Sequence, residues 1–212
     1  MSDVYEHLFA AGRQADDLHG VMVAIVTNNQ DPLGLGRVKV RFPALAGDVE
    51  SQWARIVGPG AGANRGWYWL PDLDDEVLVC FEGGRFELPL ILGSLWNGKD
   101  KPPESNADGK NARHLVKTRG GHTIVLDDTE NEQTIAIADM HGNRLVISSH
   151  NNAITLSAEG DIVLQSHSGT ISLRATTVDI QSTDATRVQA GSAAEIQGSS
   201  EVKIRGAVVN IN

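Results

Sequence analysis

Four groups of residues have types and spacings that invite a chemical reading. Asp72, Asp74, Asp75 and Glu76 crowd carboxylates together, as paired acid/base hydrolysis requires. They lead straight into the apolar run Val77-Leu78-Val79-Cys80-Phe81, so a turn before a strand accounts for them better than a catalytic pair. Gly58-Pro59-Gly60-Ala61-Gly62 is Gly-rich like a phosphate loop, but no Lys-Ser/Thr pair follows and no helical pattern begins. It reads as a loop between strands. His122, His141, His150 and His167 follow residue 113 and could form metal-binding rings on a symmetry axis. Their polar, turn-like neighbours favour solvated turns instead. Cys80 is the single cysteine, which excludes an intrachain disulfide framework and a cysteine metal cluster. No catalytic residue, cofactor or metal site is expected.

The composition bounds the partners. Net charge is −9, which disfavours a nucleic-acid ligand. Trp67, Tyr68 and Trp69 could stack bases, but the acidic balance opposes that use. The N-terminus lacks a signal-peptide pattern, and no apolar run reaches membrane-spanning length. Assembly in the cytoplasm is the expectation. All ten aromatic residues precede residue 97, and all seven prolines lie between Pro32 and Pro103. Composition therefore breaks near residues 97–113.

Positioning in the second half rests on a repeat. Pairs of apolar residues, one residue apart, recur about every eight positions. Leu145/Ile147 opens the series. Ile154/Leu156, Ile162/Leu164, Ile171/Leu173, Val178/Ile180, Val202/Ile204 and Val209/Ile211 continue it, and Thr186/Val188 and Ala194/Ile196 keep the beat with a weaker first member. Spacing of two puts both members on one face of a strand. Ser, Gly, Asn and Asp between them suit bends. Eight residues are too few for a full coil of a single-chain β-helix. Three chains wound about one axis would each supply one side of a prism and share the interior. The expected trimer core is thus Ile147, Ile154, Leu156, Ile162, Leu164, Ile171, Leu173, Val178, Ile180, Val188, Ile196, Val202, Ile204, Val209 and Ile211. Nine units at ~4.8 Å each make a shaft roughly 43 Å long. An antiparallel sandwich with short strands is the plainer alternative.

Ahead of the repeat, Val4, Leu8, Ala11, Ala15 and Leu18 fall on one face of a helix over residues 2–18. That stripe could equally dock on a partner protein or fold back on its own domain. Strand-like runs follow at Gly20–Thr27, Arg37–Phe42, Gln52–Val57, Glu76–Glu82 and Glu87–Leu95, separated by turn residues. Five strands in about eighty residues suit a small closed barrel such as an OB-fold.

The ordered blocks Gly36-Arg37-Val38-Lys39-Val40-Arg41-Phe42-Pro43, Trp53-Ala54-Arg55-Ile56-Val57, Gly66-Trp67-Tyr68-Trp69-Leu70-Pro71, Asp75-Glu76-Val77-Leu78-Val79 and Pro89-Leu90-Ile91-Leu92-Gly93-Ser94-Leu95-Trp96-Asn97-Gly98 closely resemble the OB-fold segment of contractile-tail spikes. That family includes phage baseplate V proteins and the VgrG-like spikes of type VI secretion. The resemblance runs from about Val21 to Pro103. It implies a structural central spike, trimeric and without enzymatic activity, that pierces a target envelope and touches the membrane only transiently. It implies a baseplate hub, here a separate polypeptide because only about twenty residues precede the barrel, with docking assigned to Val4, Leu8, Ala11 and Leu18. It further implies a PAAR-repeat tip protein on Val209, Asn210, Ile211 and Asn212, where the repeat is still running. Some spikes of the family carry a metal-bound apex built on a His-x-His pair, and none of the four histidines above forms one.

The expected architecture is all-β. An N-terminal segment spans 1–19, an OB-fold 20–98, a connector 99–120 and a trimeric β-helix shaft 121–212. The particle would be a phage tail or a phage-like or type VI-like injection machine. Two other functions compete: a carbohydrate-active β-helix enzyme, and an OB-fold nucleic-acid binder with an oligomerising tail.

Overall fold

The computed structural model describes residues 20–210 except Asp48. The stripe of Val4, Leu8, Ala11 and Leu18 lies outside the described residues, as do Ile211 and Asn212. The described chain is nearly all-β, and none of its helices is long and apolar enough to cross a membrane. It divides into two compact units, one ending at Glu159 and one beginning at Gly160.

Seven strands form the front of the first unit: β1 (Val21–Asn28), β2 (Lys39–Arg41), β3 (Arg55–Ile56), β4 (Ala61–Gly62), β5 (Arg65–Gly66), β6 (Glu76–Phe81) and β7 (Pro89–Ser94). Five of them make one sheet in the order β2-β1-β6-β7-β3. Val38 and Ala54 exchange backbone hydrogen bonds of 3.0 and 2.7 Å. That bridge joins the two edges, so the sheet curls into an OB-like barrel and leaves few open edge groups. These five strands fall on the runs expected from the sequence.

Alternation fills the barrel. Val77, Val79 and Phe81 of β6 point inward, with Ala24 and Val26 of β1, and meet Val38, Val40, Phe42, Ala54 and Ile91. Phe42, Phe81 and Phe86 form a three-ring cluster with centroids 5.4–5.7 Å apart, within the range of favourable aromatic pairs. Cys80 faces the other way and is half-buried. The glycine-rich run expected as a plain loop instead holds the β4–β5 hairpin, which turns through Asn64 at φ 52°. Gly66 is required there. Its φ is +146°, and a Cβ would stand 2.5 Å from the Gly60 carbonyl oxygen.

The β1–β2 loop is organised by one carboxylate. Asp31 accepts backbone N–H bonds from Leu33 (3.0 Å), Leu35 (3.1 Å) and Arg37 (3.4 Å). It also accepts Nε–H and Nη2–H of Arg37, each at 2.8 Å, a bidentate pair of the stronger kind. The Asp31 side chain is only 3% exposed. The Arg37 guanidinium, aided by the three backbone donors, holds the Asp31 carboxyl far below the ordinary carboxylate range.

Behind the barrel lies a second sheet of five antiparallel strands: β8 (Arg113–Lys117), β9 (Thr123–Asp127), β10 (Thr134–Ala138), β11 (Arg144–Ser148) and β12 (Ala153–Ser157). They follow one another as a meander. Side-chain acceptors fold the tight turns: Asp139 takes the N–H groups of His141 (2.8 Å) and Asn143 (2.9 Å). Gly121, Asn131, Gly142 and Asn152 supply the positive φ values. Strand β8 begins inside the stretch expected as connector. From Gly160 to Asn210 no described residue takes part in a strand ladder.

The Asp31 carboxyl is depressed in the fold, so its stabilisation is complete above the usual carboxylate pKa and is lost as pH falls below about 4. Amide-exchange protection factors of Leu33, Leu35 and Arg37 should therefore fall below that pH while those of Val77 and Val79 hold. Asp31→Asn should remove this local pH dependence. Uniform loss across loop and barrel would show that Asp31 does not organise the loop.

Candidate functional site

The register of the second sheet puts its large aliphatic side chains on one face. His114 pairs with Leu126, Leu126 with Ile135, Ile135 with Ile147, and Ile147 with Ile154. Two residues along each strand, Val116 pairs with Ile124, Ile124 with Ile137, Ile137 with Leu145, and Leu145 with Leu156. Residues two apart on a strand share a face, and directly paired residues do too. Ten side chains in two rows therefore cover one side of the sheet, nine of them aliphatic.

The opposite face carries a central half-buried row of Leu115, Val125, Ala136 and Val146, flanked by Arg113, Lys117, Thr123, Asp127, Thr134, Arg144 and Ser148. It is smaller and more polar. Arg113 lies 3.4 Å from Asp127 and 3.5 Å from Glu104 on that side. Asp127 is lowered from the ordinary carboxylate value, chiefly by hydrogen bonds from Thr129, with Arg113 adding attraction. The sheet is thus two-sided, yet no described element of the first unit covers its aliphatic side. Ile124, Leu126, Ile135, Ile137, Ile147, Ile154 and Leu156 are all exposed in the single chain. An aliphatic face this broad is unusual for a surface that stays in water.

The second unit carries the same unmet requirement. Ile162, Leu164, Ile171, Leu173, Val178, Ile180, Val188, Ile196, Val202, Ile204 and Val209 are exposed throughout. Leu156, Leu164 and Leu173, expected in a shared core, are 55, 67 and 68% exposed in one chain. Between Gly160 and Asn210 the backbone N–H and C=O groups also find no ladder partner within the chain.

Sequence reasoning began the apolar pairs at Leu145/Ile147. The structure adds Ile124/Leu126 and Ile135/Ile137 to the same face, with Val116 of β8. Their spacing of two was legible. Their step along the chain, set by longer hairpins, is about ten rather than eight, and a search for the shorter beat passes over them.

The other candidate groups separate. Asp72, Asp74 and Asp75 form the expected turn before β6: the Asp72 N–H reaches the Asp75 carboxylate at 2.8 Å, and Asp74 has φ 68°. His122, His141 and His150 sit in the hairpin turns and His167 in a bend. His114 does not follow that pattern; it lies on strand β8. Among the described residues of one chain, no group of three His, Cys, Asp or Glu is placed to hold a metal. On the barrel, the exposed Trp67, Tyr68 and Trp69 flank a groove of about 660 Å³ beside the β4–β5 hairpin, with Leu35 on its rim.

Residues 22–96, the barrel, match the family of type VI secretion system/phage-baseplate injector OB domains. That defines the class of the domain. The chain is similar to the type VI secretion system spike protein VgrG2a of Pseudomonas aeruginosa, 27% identical over 115 residues, covering 50% of this chain and 14% of that protein. It is similar to the spike protein VgrG3 of Vibrio cholerae, 26% identical over 149 residues, 64% of this chain and 15% of that protein. It also resembles the actin cross-linking toxin VgrG1 of Vibrio cholerae, 32% identical over 72 residues, 32% of this chain and 7% of the toxin. The barrel thus belongs to the injector OB-domain family, and the chain as a whole is similar to VgrG spike proteins over 50 to 64% of its length. It spans only a small part, 7 to 15%, of the length of these relatives.

The two faces of the second sheet make a paired test. Ile137→Asp puts a carboxylate on the aliphatic face, where burial without a partner costs several kcal/mol. Ala136→Asp, one residue away, points to the other side. Light scattering should show the first variant losing self-association and the second keeping it. Equal masses for both would mean the aliphatic face is not a contact surface.

Proposed function

We propose that this chain is the central spike of a contractile injection machine. In this reading it acts mechanically, not as an enzyme. Three copies pack their aliphatic faces together and wind into a shaft whose interior continues through Val209. The barrel seats the trimer on the baseplate hub, with the N-terminal stripe of Val4, Leu8, Ala11 and Leu18 as a docking element. A PAAR-repeat protein sits at the shaft tip, on Val209 to Asn212. The assembled particle is a phage tail baseplate or a related injection apparatus, and contact with a target membrane is brief.

One observation carries this reading. A family injector barrel is followed by ten in-register inward candidates, and then by paired aliphatics along fifty residues that form no ladder of their own. Buried backbone polar groups require partners, and apolar area leaves water only if something covers it. Copies of the same chain satisfy both needs at once. Interwinding also closes strand edges that would otherwise recruit foreign strands. A rod held this way unfolds slowly, which a force-transmitting part needs.

Crosslinking and light scattering of the purified chain should give three copies. Ile171→Asp would bury three carboxylates at one level and should weaken the assembly by several kcal/mol. An assembly of undiminished denaturant resistance would place Ile171 outside the core. Removing Val209–Asn212 should abolish co-purification with a PAAR-repeat protein while the trimer persists. Retention of that partner would move the tip contact elsewhere.

A further inference from the structure

The ten positions of the aliphatic face include one polar residue, His114. It heads a row that continues as Leu126, Ile135, Ile147 and Ile154. Val116 shares its strand and its face. Strand β8 is the edge of the sheet, so His114 and Val116 form the first layer, with Ile124 and Leu126 as the next. The His114 imidazole makes no hydrogen bond to any described residue. What sets His114 apart from the turn residues His122 and His141 is its place on a strand, in a row of aliphatic side chains.

We infer that three copies of His114, one from each chain, form a binding site for a divalent transition-metal ion at the head of the shaft interior. The inference rests on the trimeric reading above. An imidazole moved from water into an aliphatic layer costs free energy unless its nitrogens find partners. Threefold repetition brings three imidazoles to one level and surrounds them with three copies of Val116. The layer below offers only Ile and Leu, so no carboxylate competes on that side. Three neutral nitrogens around an axis suit Zn2+, Co2+ or Ni2+, with water completing the coordination from the open side of the first layer. Hard cations such as Ca2+ and Mg2+ prefer oxygen and are poorly served.

Such a site gives the shaft something that aliphatic layers cannot. Ile and Leu layers resemble one another, and chains could pair with a slip of one layer at little loss. A single polar layer that works only when three copies align penalises every slipped arrangement, as an isolated polar layer fixes register in coiled coils. Its position next to the barrel sets the register where the shaft begins.

The test uses the full chain, stripped with chelator and returned to metal-free buffer. Light scattering is read first. A sample of single chains overturns both the spike reading and the site, because no ring exists without three copies. A trimer is then titrated with Co2+ alone and followed by its visible absorption and by calorimetry. The site predicts about one ion per three chains and imidazole-type bands. His114→Leu extends the aliphatic row and should keep the trimer while lowering Co2+ affinity at least tenfold. His122→Ala should leave uptake unchanged. A wild-type trimer that takes up no Co2+, or equal uptake by His114→Leu, overturns the metal site and leaves the trimer standing.

Discussion

An aliphatic sheet face that no described element of the first unit covers governs this protein. Nine aliphatic side chains in two rows make a surface whose removal from water is worth on the order of 1.5–3 kcal/mol per side chain. The described residues leave that gain unrealised, and between Gly160 and Asn210 they form no strand ladder. Most proteins answer an apolar sheet face with a helix or a second sheet from the same chain. Here the following residues carry more of the same pattern. The second half therefore exposes more apolar side chains than its described residues bury.

The barrel answers the same problem internally. Its edges meet through Val38 and Ala54, and its side chains interlock around Phe42, Phe81 and Phe86. It needs no partner to bury its core. That self-sufficiency lets it present fixed surface features outward, among them the Asp31-braced loop and the Trp67-Tyr68-Trp69 ridge.

Much of this was legible in the residues. Alternation in Val77-Leu78-Val79-Cys80-Phe81 gave β6 and its buried face. Turn residues marked the ends of the other barrel strands, and the Asp72–Asp75 cluster read correctly as a turn. The Gly58–Gly66 run reads as plain loop because a hairpin as short as β4–β5 has no apolar alternation to signal it. Strand β8 was hidden in the presumed connector, where Arg113 and Lys117 flank only three further residues and mask the His114/Val116 pair. The eight-residue beat drew attention away from Ile124/Leu126 and Ile135/Ile137, whose longer hairpins change the step but not the face.

Sequence by itself determined the local periodicities, because spacing of two on a strand follows from backbone geometry and needs no neighbour. It thereby determined an all-β chain, a barrel-sized front segment and a back half with one apolar side. Tertiary structure decided what long-range pairing alone can decide: the bridge that joins the barrel edges, the convergence of three backbone N–H groups and Arg37 on Asp31, and the register that sets His114 at the head of an aliphatic row. Those outcomes depend on which strand lies beside which, and hydrogen-bond register between distant segments leaves no mark in the spacing of either segment.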